Sequence, residues 1–487
     1  MKFDVRMKAL WVASALSLFL GVFSFSSNPW VDTTCSDGAV FAYIGEAMSR
    51  GQVLYRDVVD NKGPFLYWFN CIGKQIAPGM FGVWCIEILL YLLSMGMAFE
   101  FVRRRFGSVQ SACAVVVHSF LYMLCAAPGN FSETYAYPFI LFPVLMLSVW
   151  AEENRMPKYW ESFAVGCSFS MVLLLRVNMV TFVFVVAAYY VLTAIRQKSI
   201  IAFLVTTLLS VVGAVVTCVP WLVYFIKNNA LSDLVQIYWL ANLVHISHKA
   251  TPHVATWLCP IVVALCFAAW FFCGDRRKRC VVYNALYAIL ASLVICIKPE
   301  INHYFLPLVA AVPLPLGILF ARFRIVGVMA LCVALPFAAL IMVKSNYDVR
   351  SIIAAVKSGD SIFPLSRYED GHEADDAVAL AKYIRDRDSV CVMGLDCGVY
   401  SRLGVRCKGR YEYQTCVIDM LPAMRQEILE QFASGTNRYV IAHDNQWIAC
   451  LREIVETKYI KIGENGSYSL WEYNGSAGVE RQCMQKR

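Results

Sequence analysis

Charge is what this sequence has least of. Lys, Arg, Asp and Glu make up 16% of its 487 residues, against about 25% in a soluble domain. Hydrophobic residues make up 59% and the mean hydropathy is +0.55. A soluble globular chain is thereby excluded and an integral membrane protein is expected. There is no C-x-x-C pair and no zinc-ligand spacing, so no metal site is assigned. The tail motif MGLDCG at 393–398 is neither a GxGxxG nor a P-loop pattern, so no nucleotide site is assigned there. No cofactor is expected. The formal charge of +8 resides largely in short basic clusters between apolar runs. Such clusters report topology and contact with anionic headgroups, not nucleic acid.

What is there, above all, is apolar runs of spanning length. Hydropathy places about eleven spans, at residues 9–25, 81–101, 109–126, 137–150, 160–175, 179–195, 200–225, 255–273, 281–297, 304–320 and 325–343. Basic clusters precede the first (Lys2, Arg6, Lys8) and follow the second (Arg103, Arg104, Arg105), fourth (Arg155, Lys158), sixth (Arg196, Lys198), eighth (Arg276 to Arg279) and tenth (Arg322, Arg324). All share one side if the N-terminus is cytoplasmic. The first span has a basic start but no clear small-x-small cleavage site, and is expected to be a retained anchor. The tail after Val343 is then extracytoplasmic. The expected organisation is a transmembrane domain over 1–343, with a first outer loop at 26–80, and a soluble domain over 344–487. A bacterial inner membrane is the expected location.

The first loop carries the densest polar pattern. Residues 36–67 read SDGAVFAYIGEAMSRGQVLYRDVVDNKGPFLY. Apolar residues at Phe41, Ile44 and Met48 suit a helix over 38–50 lying in the membrane interface, with Asp37 at its N-terminus and Gly51 ending it. Pro64 opens a second apolar helix to Ile76. A loop that merely joined two spans would not need Asp37, Glu46, Asp57, Asp60, Lys62 and a Gly-Pro in so short a run.

The tail alternates helical and buried-strand patterns: helices at 374–386 and 421–434, strands at 389–394 and 439–442, and an alternating segment at 467–473 that suits an edge strand. This predicts an α/β domain with a mainly parallel sheet. Nineteen cysteines fall mostly in spans, where they pack as small apolar side chains. A disulfide in the outer regions, such as Cys35 with Cys71, is open.

An Asp just after the first span, followed by G-x-x-L-Y-x-D-x-x-D-x-K-G-P, resembles the protein O-mannosyltransferase and aminoarabinose transferase group of polyprenyl-phosphate-dependent glycosyltransferases, which have the GT-C fold. The matching residues are Asp37, Gly51, Leu54, Tyr55, Asp57, Asp60, Lys62, Gly63 and Pro64, with secondary matches at Ser132 to Tyr135, Arg176 to Asn178, and His303-Tyr304. The resemblance covers roughly residues 1–343. One departure is Gly63, where the aminoarabinose members tend to carry a second proline.

The resemblance implies a lipid-linked sugar as substrate and an inverting transfer, with Asp37 as base and Lys62 against the donor phosphate. Asp37 as a plain helix cap is the bland reading, and for Lys62 it is a surface pair with Asp60. Arg176, His303 and Tyr304 are further candidates for the donor phosphate, set against snorkelling or interfacial anchoring. Tyr55, Asp57, Asp60, Glu133 and Asn178 are expected to shape the loop or touch substrate. His245, His248 and His253 share the 227–254 loop without a metal-site spacing. The acceptor class spans envelope glycans, glycolipids and proteins. Two rival classes remain: a transporter or flippase of lipid-linked glycans, which would need mid-span charges or paired broken helices, and a membrane-anchored binding protein working through its tail.

Overall fold

The computed structural model describes residues 31–32, 37–77, 79–126, 129–244, 254–297, 302–323, 365–366 and 376–475, together with helical Ala15 and Leu18. The expected span at 325–343, nearly all of that at 9–25, the three histidines of the 227–254 loop, Cys35 and Cys483 lie outside the described residues.

In chain order the helices of the membrane half are α1 (Asp37–Ser49), α2 (Pro64–Ile76), α3 (Phe81–Phe106), α4 (Ser108–Ala126), α5 (Ser132–Glu153), α6 (Tyr159–Leu173), α7 (Phe182–Gln197), α8 (Ile200–Lys227), α9 (Leu258–Phe272), α10 (Asp275–Cys296) and α11 (Pro313–Arg322). Among the described residues, α3, α4, α5, α8 and α10 are long and apolar enough to cross a membrane, and Asn302–Val309 with α11 gives a further crossing if the two act as one bent span. The chain is therefore a multi-pass membrane protein. Much of α8 is bare, with Ile201, Leu204, Leu208 and Val211 all exposed, as a lipid-facing helix should be.

Two expected features of this half are corrected. The span expected at 304–320 is broken, with a bend of 60° between Val309 and Pro313. Pro313 and Pro315 supply no N–H to the preceding turn, which interrupts the hydrogen-bond ladder there and lets a new helix start at Pro313. The segment expected as a loop at 227–254 is helical over 231–244, with a π-helical middle at Leu234–Leu240.

The basic clusters converge on one end of the bundle. Glu152 accepts from Arg105 at 2.9 Å and from Arg277 at 3.0 Å. Asn154 accepts from Arg279 and Arg155 pairs with Glu161. Ser132 lies at the other end of α5, roughly 30 Å away at the helical rise per residue. The candidate residues gather there.

Helix α1 begins and ends where Asp37 and Gly51 (φ 96°) predict, but it does not lie with a free face in the interface. Val40, Phe41, Tyr43, Ile44 and Ala47 are all buried. The tail domain covers it: the Tyr43 ring packs on Tyr400 at 4.4 Å, and its hydroxyl accepts the Cys407 N–H at 3.1 Å. A short parallel pair, β1 (Val31–Asp32) with β2 (Leu365–Ser366), ties the start of the loop to the tail as well.

The tail contains β3 (Val390–Val392), α12 (Gly398–Leu403), α13 (Pro422–Ala433), β4 (Tyr439–His443), α14 (Ala449–Lys458), β5 (Tyr459–Asn465) and β6 (Tyr468–Tyr473). The sheet order is β3-β4-β6-β5. Only β3–β4 is parallel; β4–β6 and β6–β5 are antiparallel. This corrects the mainly parallel sheet and moves 467–473 from the edge to the interior. The cause is a tight hairpin: Gly466, at φ 52°, opens a two-residue turn that folds β5 onto β6. Among the described residues the cysteines are free thiols, Cys71 included.

Candidate active site

The N-terminus of α1 is fixed by a buried polar knot. Asn130, at φ 55°, donates its side-chain amide to the Gly38 carbonyl at 2.8 Å and to Asn70 of α2 at 3.0 Å. Its backbone N–H reaches Glu87 of α3 at 2.5 Å, and its side-chain oxygen accepts from Tyr135 at 2.7 Å. Four elements therefore hold the turn that carries Asp37. Burial pushes the Asp37 carboxyl above the ordinary aspartate range; Lys62 and Arg176 pull it down, while Asp60 and Glu133 push it up. The Asn130–Gly38 hydrogen bond also sets Asp37 beside the turn that leads into Ser132 and Glu133.

Lys62 arrives from the first loop through an unusually close backbone contact. The Gly63 N–H donates to the Leu175 carbonyl at 3.1 Å, and the Phe65 N–H to the Leu174 carbonyl at 3.2 Å. A Cβ at Gly63 would stand 2.0 Å from the Leu174 oxygen. The glycine is thus what brings Lys62 beside the turn that carries Arg176. That turn is set in place by α6, which lies against α8 at a small-residue contact: a Cβ on Gly166 would meet the Ser210 oxygen at 1.8 Å. Gly63→Ala is expected to force this junction apart, at a cost of about 1–3 kcal/mol, and to lower both thermal stability in detergent and activity. Unchanged values for both would refute this role.

The Lys62 ammonium donates to Asn61 at 2.8 Å and makes no ion pair within 4.0 Å among the described residues. Burial works against its charge, but Asp60 and Asp37 outweigh burial and hold it above the usual lysine range. Asp60 is buried, and its carboxylate accepts from the Asn61 N–H at 2.6 Å, from Tyr67 at 2.6 Å and from Tyr413. It is therefore a carboxyl group fixed by three donors, and the pairing with Lys62 expected of a surface lysine is not made directly.

Arg176 forms an ion pair with Glu133, whose side chain is only 2% exposed. Ser132 donates to the same carboxylate at 2.9 Å, and His303 approaches it at 4.0 Å. The guanidinium lies over the Tyr304 ring at 4.2 Å, and His303 stacks on Phe131 at 4.1 Å. Burial opposes the charge on Arg176, and Glu133 and Tyr304 keep it cationic. Asn178 lines a small recess together with Glu133, Thr181, Tyr304 and Pro307.

Asp37, Lys62, Glu133, Arg176, His303 and Tyr304 thus meet in one place, with Asn178 beside them and Asp60 behind Lys62. Tyr55 and Asp57 shape the loop. Asp57 accepts the Val53 N–H at 2.8 Å, and its hydrogen bond with Arg56 holds its carboxyl below the usual range. Tyr55 sits at φ 65°, stacks on Phe225 at 5.6 Å and donates its hydroxyl to the Lys62 carbonyl at 2.5 Å.

The sequence reading missed the contribution of the tail. Arg410, Glu412 and Tyr413 all reach the first loop. Glu412 is buried with one carboxylate oxygen lacking a hydrogen-bond partner among the described residues, and burial raises its pKa well above the usual glutamate value. The only signal was a polar-aromatic run, RYEY at 410–413, with no motif to mark it.

The chain is similar to known proteins in part of its sequence and in its fold. Residues 61–224, roughly a third of the chain, match a sequence model of the dolichyl-phosphate-mannose-protein mannosyltransferase family. That stretch includes Lys62, Glu133, Arg176 and Asn178. No curated protein matches the chain by sequence. Among solved structures, ArnT from Cupriavidus metallidurans bound to undecaprenyl phosphate aligns with a TM-score of 0.62 at 13% identity, over 96% of this chain and 98% of that one. The same protein in its apo state aligns with a TM-score of 0.62 at 14% identity, over 97% and 99%. The chain has the GT-C fold.

Proposed function

We propose that this protein is an integral membrane glycosyltransferase that moves a sugar from a polyprenyl-phosphate donor to a hydroxyl on a glycan, lipid or protein acceptor. The observation that carries the reading is the gathering of a carboxylate, Asp37, held through Gly38 by the Asn130 turn that leads into Glu133, with two cations, Lys62, brought against Leu174 and Leu175, and Arg176, paired with Glu133. Hydroxyl transfer needs these two functions side by side: a base for the acceptor proton and cations for the departing phosphate. A lipid phosphate of the class bound in the ArnT structure fits the cationic half.

In this reading Asp37 takes the proton of the acceptor hydroxyl. The oxygen attacks the anomeric carbon from the face opposite the phosphate, the carbon–oxygen bond to phosphate breaks, and the sugar inverts. The negative charge gathers on the polyprenyl phosphate as it leaves. Lys62 is the principal phosphate ligand, because Glu133 already neutralises much of the charge on Arg176. Arg176, His303 and Tyr304 form the second wall of the phosphate site. The loop and tail above the site exclude water, which limits hydrolysis. The basic clusters at the far end of the bundle support an extracytoplasmic site and tail, a cytoplasmic N-terminus and a plasma-membrane location.

The phosphate assignment is tested by binding of undecaprenyl phosphate to purified protein in detergent. Lys62→Gln is expected to weaken binding about ten- to a hundredfold, the worth of one charge-assisted hydrogen bond. Binding equal to wild type would remove Lys62 from the phosphate site.

A further inference from the structure

We infer that the C-terminal domain completes the active site, with Tyr413 and Arg410 as positioning residues that set the ammonium of Lys62. The inference rests on the proposed donor site. Two separate connections run from the tail to Lys62. In the first, the Tyr413 hydroxyl donates to the Asp60 carboxylate, the same carboxylate accepts the Asn61 N–H at 2.6 Å, and Asn61 accepts from the Lys62 ammonium at 2.8 Å. In the second, the Arg410 guanidinium makes two hydrogen bonds to the Tyr55 carbonyl, at 2.7 and 3.3 Å, and the Tyr55 hydroxyl donates to the Lys62 carbonyl at 2.5 Å.

The loop needs holding. Tyr55 is a bulky residue in the left-handed region at φ 65°, a conformation that persists only when its surroundings over-determine it. Arg410 supplies part of that constraint, and is itself fixed by Asp233 at 2.8 Å and Glu427 at 3.0 Å. Asp60 is 1% exposed, so both of its oxygens require hydrogen-bond partners. Tyr67 supplies one from the membrane half, and the other oxygen accepts from the Asn61 N–H and from Tyr413 of the tail. The buried Asp60 carboxylate, linked to Lys62 through Asn61, is therefore held jointly by the two domains.

The test is binding of undecaprenyl phosphate to the full-length protein, with Tyr413→Phe, Lys62→Gln and the double variant compared with wild type. Tyr413→Phe keeps the ring and removes only the hydroxyl. It is expected to weaken binding about tenfold, while the double variant binds no more weakly than Lys62→Gln alone, because Tyr413 acts through Lys62. A general structural defect would instead add to the effect of Lys62→Gln. Arg410→Lys, which keeps the charge but loses the forked contact on Tyr55, should show the same non-additivity, and serves if Tyr413→Phe does not fold. Wild-type-like binding by both Tyr413→Phe and Arg410→Lys, or losses that add fully to Lys62→Gln, would overturn the inference and leave the proposed function standing. Absence of binding by wild type would overturn both.

Discussion

Asp37→Asn is expected to reduce sugar transfer by about 10²–10⁴-fold, the usual contribution of a positioned general base, while undecaprenyl phosphate binding persists. The same substitution tests the helix-cap reading. Asparagine caps a helix about as well as aspartate, so a capping role alone predicts little change in activity. The pH dependence sharpens the distinction. The folded pKa of Asp37 is raised, chiefly by burial. A base must be deprotonated, so wild-type activity should rise with pH, with a midpoint above the ordinary aspartate value of about 3.9. Stability runs the other way. A carboxyl whose pKa is raised on folding contributes stability that is fully present below its unfolded pKa and lost as pH rises through its folded pKa. At neutral pH, Asp37→Asn should therefore leave thermal stability unchanged or slightly higher. A loss of activity with no loss of stability marks a catalytic group. A loss of both together would mark a structural one.

Arg176→Met is expected to have the largest effect on stability. It leaves Glu133, 2% exposed, buried without its counter-charge. Breaking a buried ion pair from one side costs about 3–5 kcal/mol, while replacing both partners by neutral groups costs much less. Thermal unfolding in detergent should therefore show a large loss for Arg176→Met and a smaller one for the double variant Arg176→Met/Glu133→Gln. If Arg176 merely snorkelled to the membrane surface, its removal would cost little and the double variant would restore nothing. The nearby His303, at 4.0 Å from the same carboxylate, is not close enough to replace the guanidinium.

Much of the site was legible in the sequence because local punctuation fixes the first loop. Gly51 and Pro64 set the ends of α1 and α2, and the polar residues between them have no structural duty in a plain connector. The gathering of Arg176, Glu133 and His303 was legible only as agreement in sidedness, since their contacts are made across helices. Coverage of α1 by the tail was not legible. Phe41, Ile44 and Met48 read as one apolar stripe, yet Tyr43 lies on another face and is buried against Tyr400. Which surface covers an apolar face is a tertiary fact that periodicity does not carry. The β5–β6 hairpin was marked by Gly466 after Asn465, a turn signal, but in the segment 459–465 only Tyr459 is buried and its pattern was weak. The bend before α11 had its cause in plain view at Pro313 and Pro315.

The rival transport reading loses its main supports. Glu87, the one acid well inside an expected span, serves the Asn130 knot and accepts from Thr134 at 3.2 Å. Glu100 is paired with Arg103 and Arg104 at the inner helix end.

The most direct test of the account is turnover of a panel of radiolabelled polyprenyl-phosphate sugars by the purified full-length protein in detergent, with membrane extract supplying acceptors. The account predicts that one donor is consumed, that its label moves to an acceptor or to water, and that free polyprenyl phosphate appears in equal amount. Binding of these lipids without consumption of any donor, with acceptors of all three classes present, would contradict it.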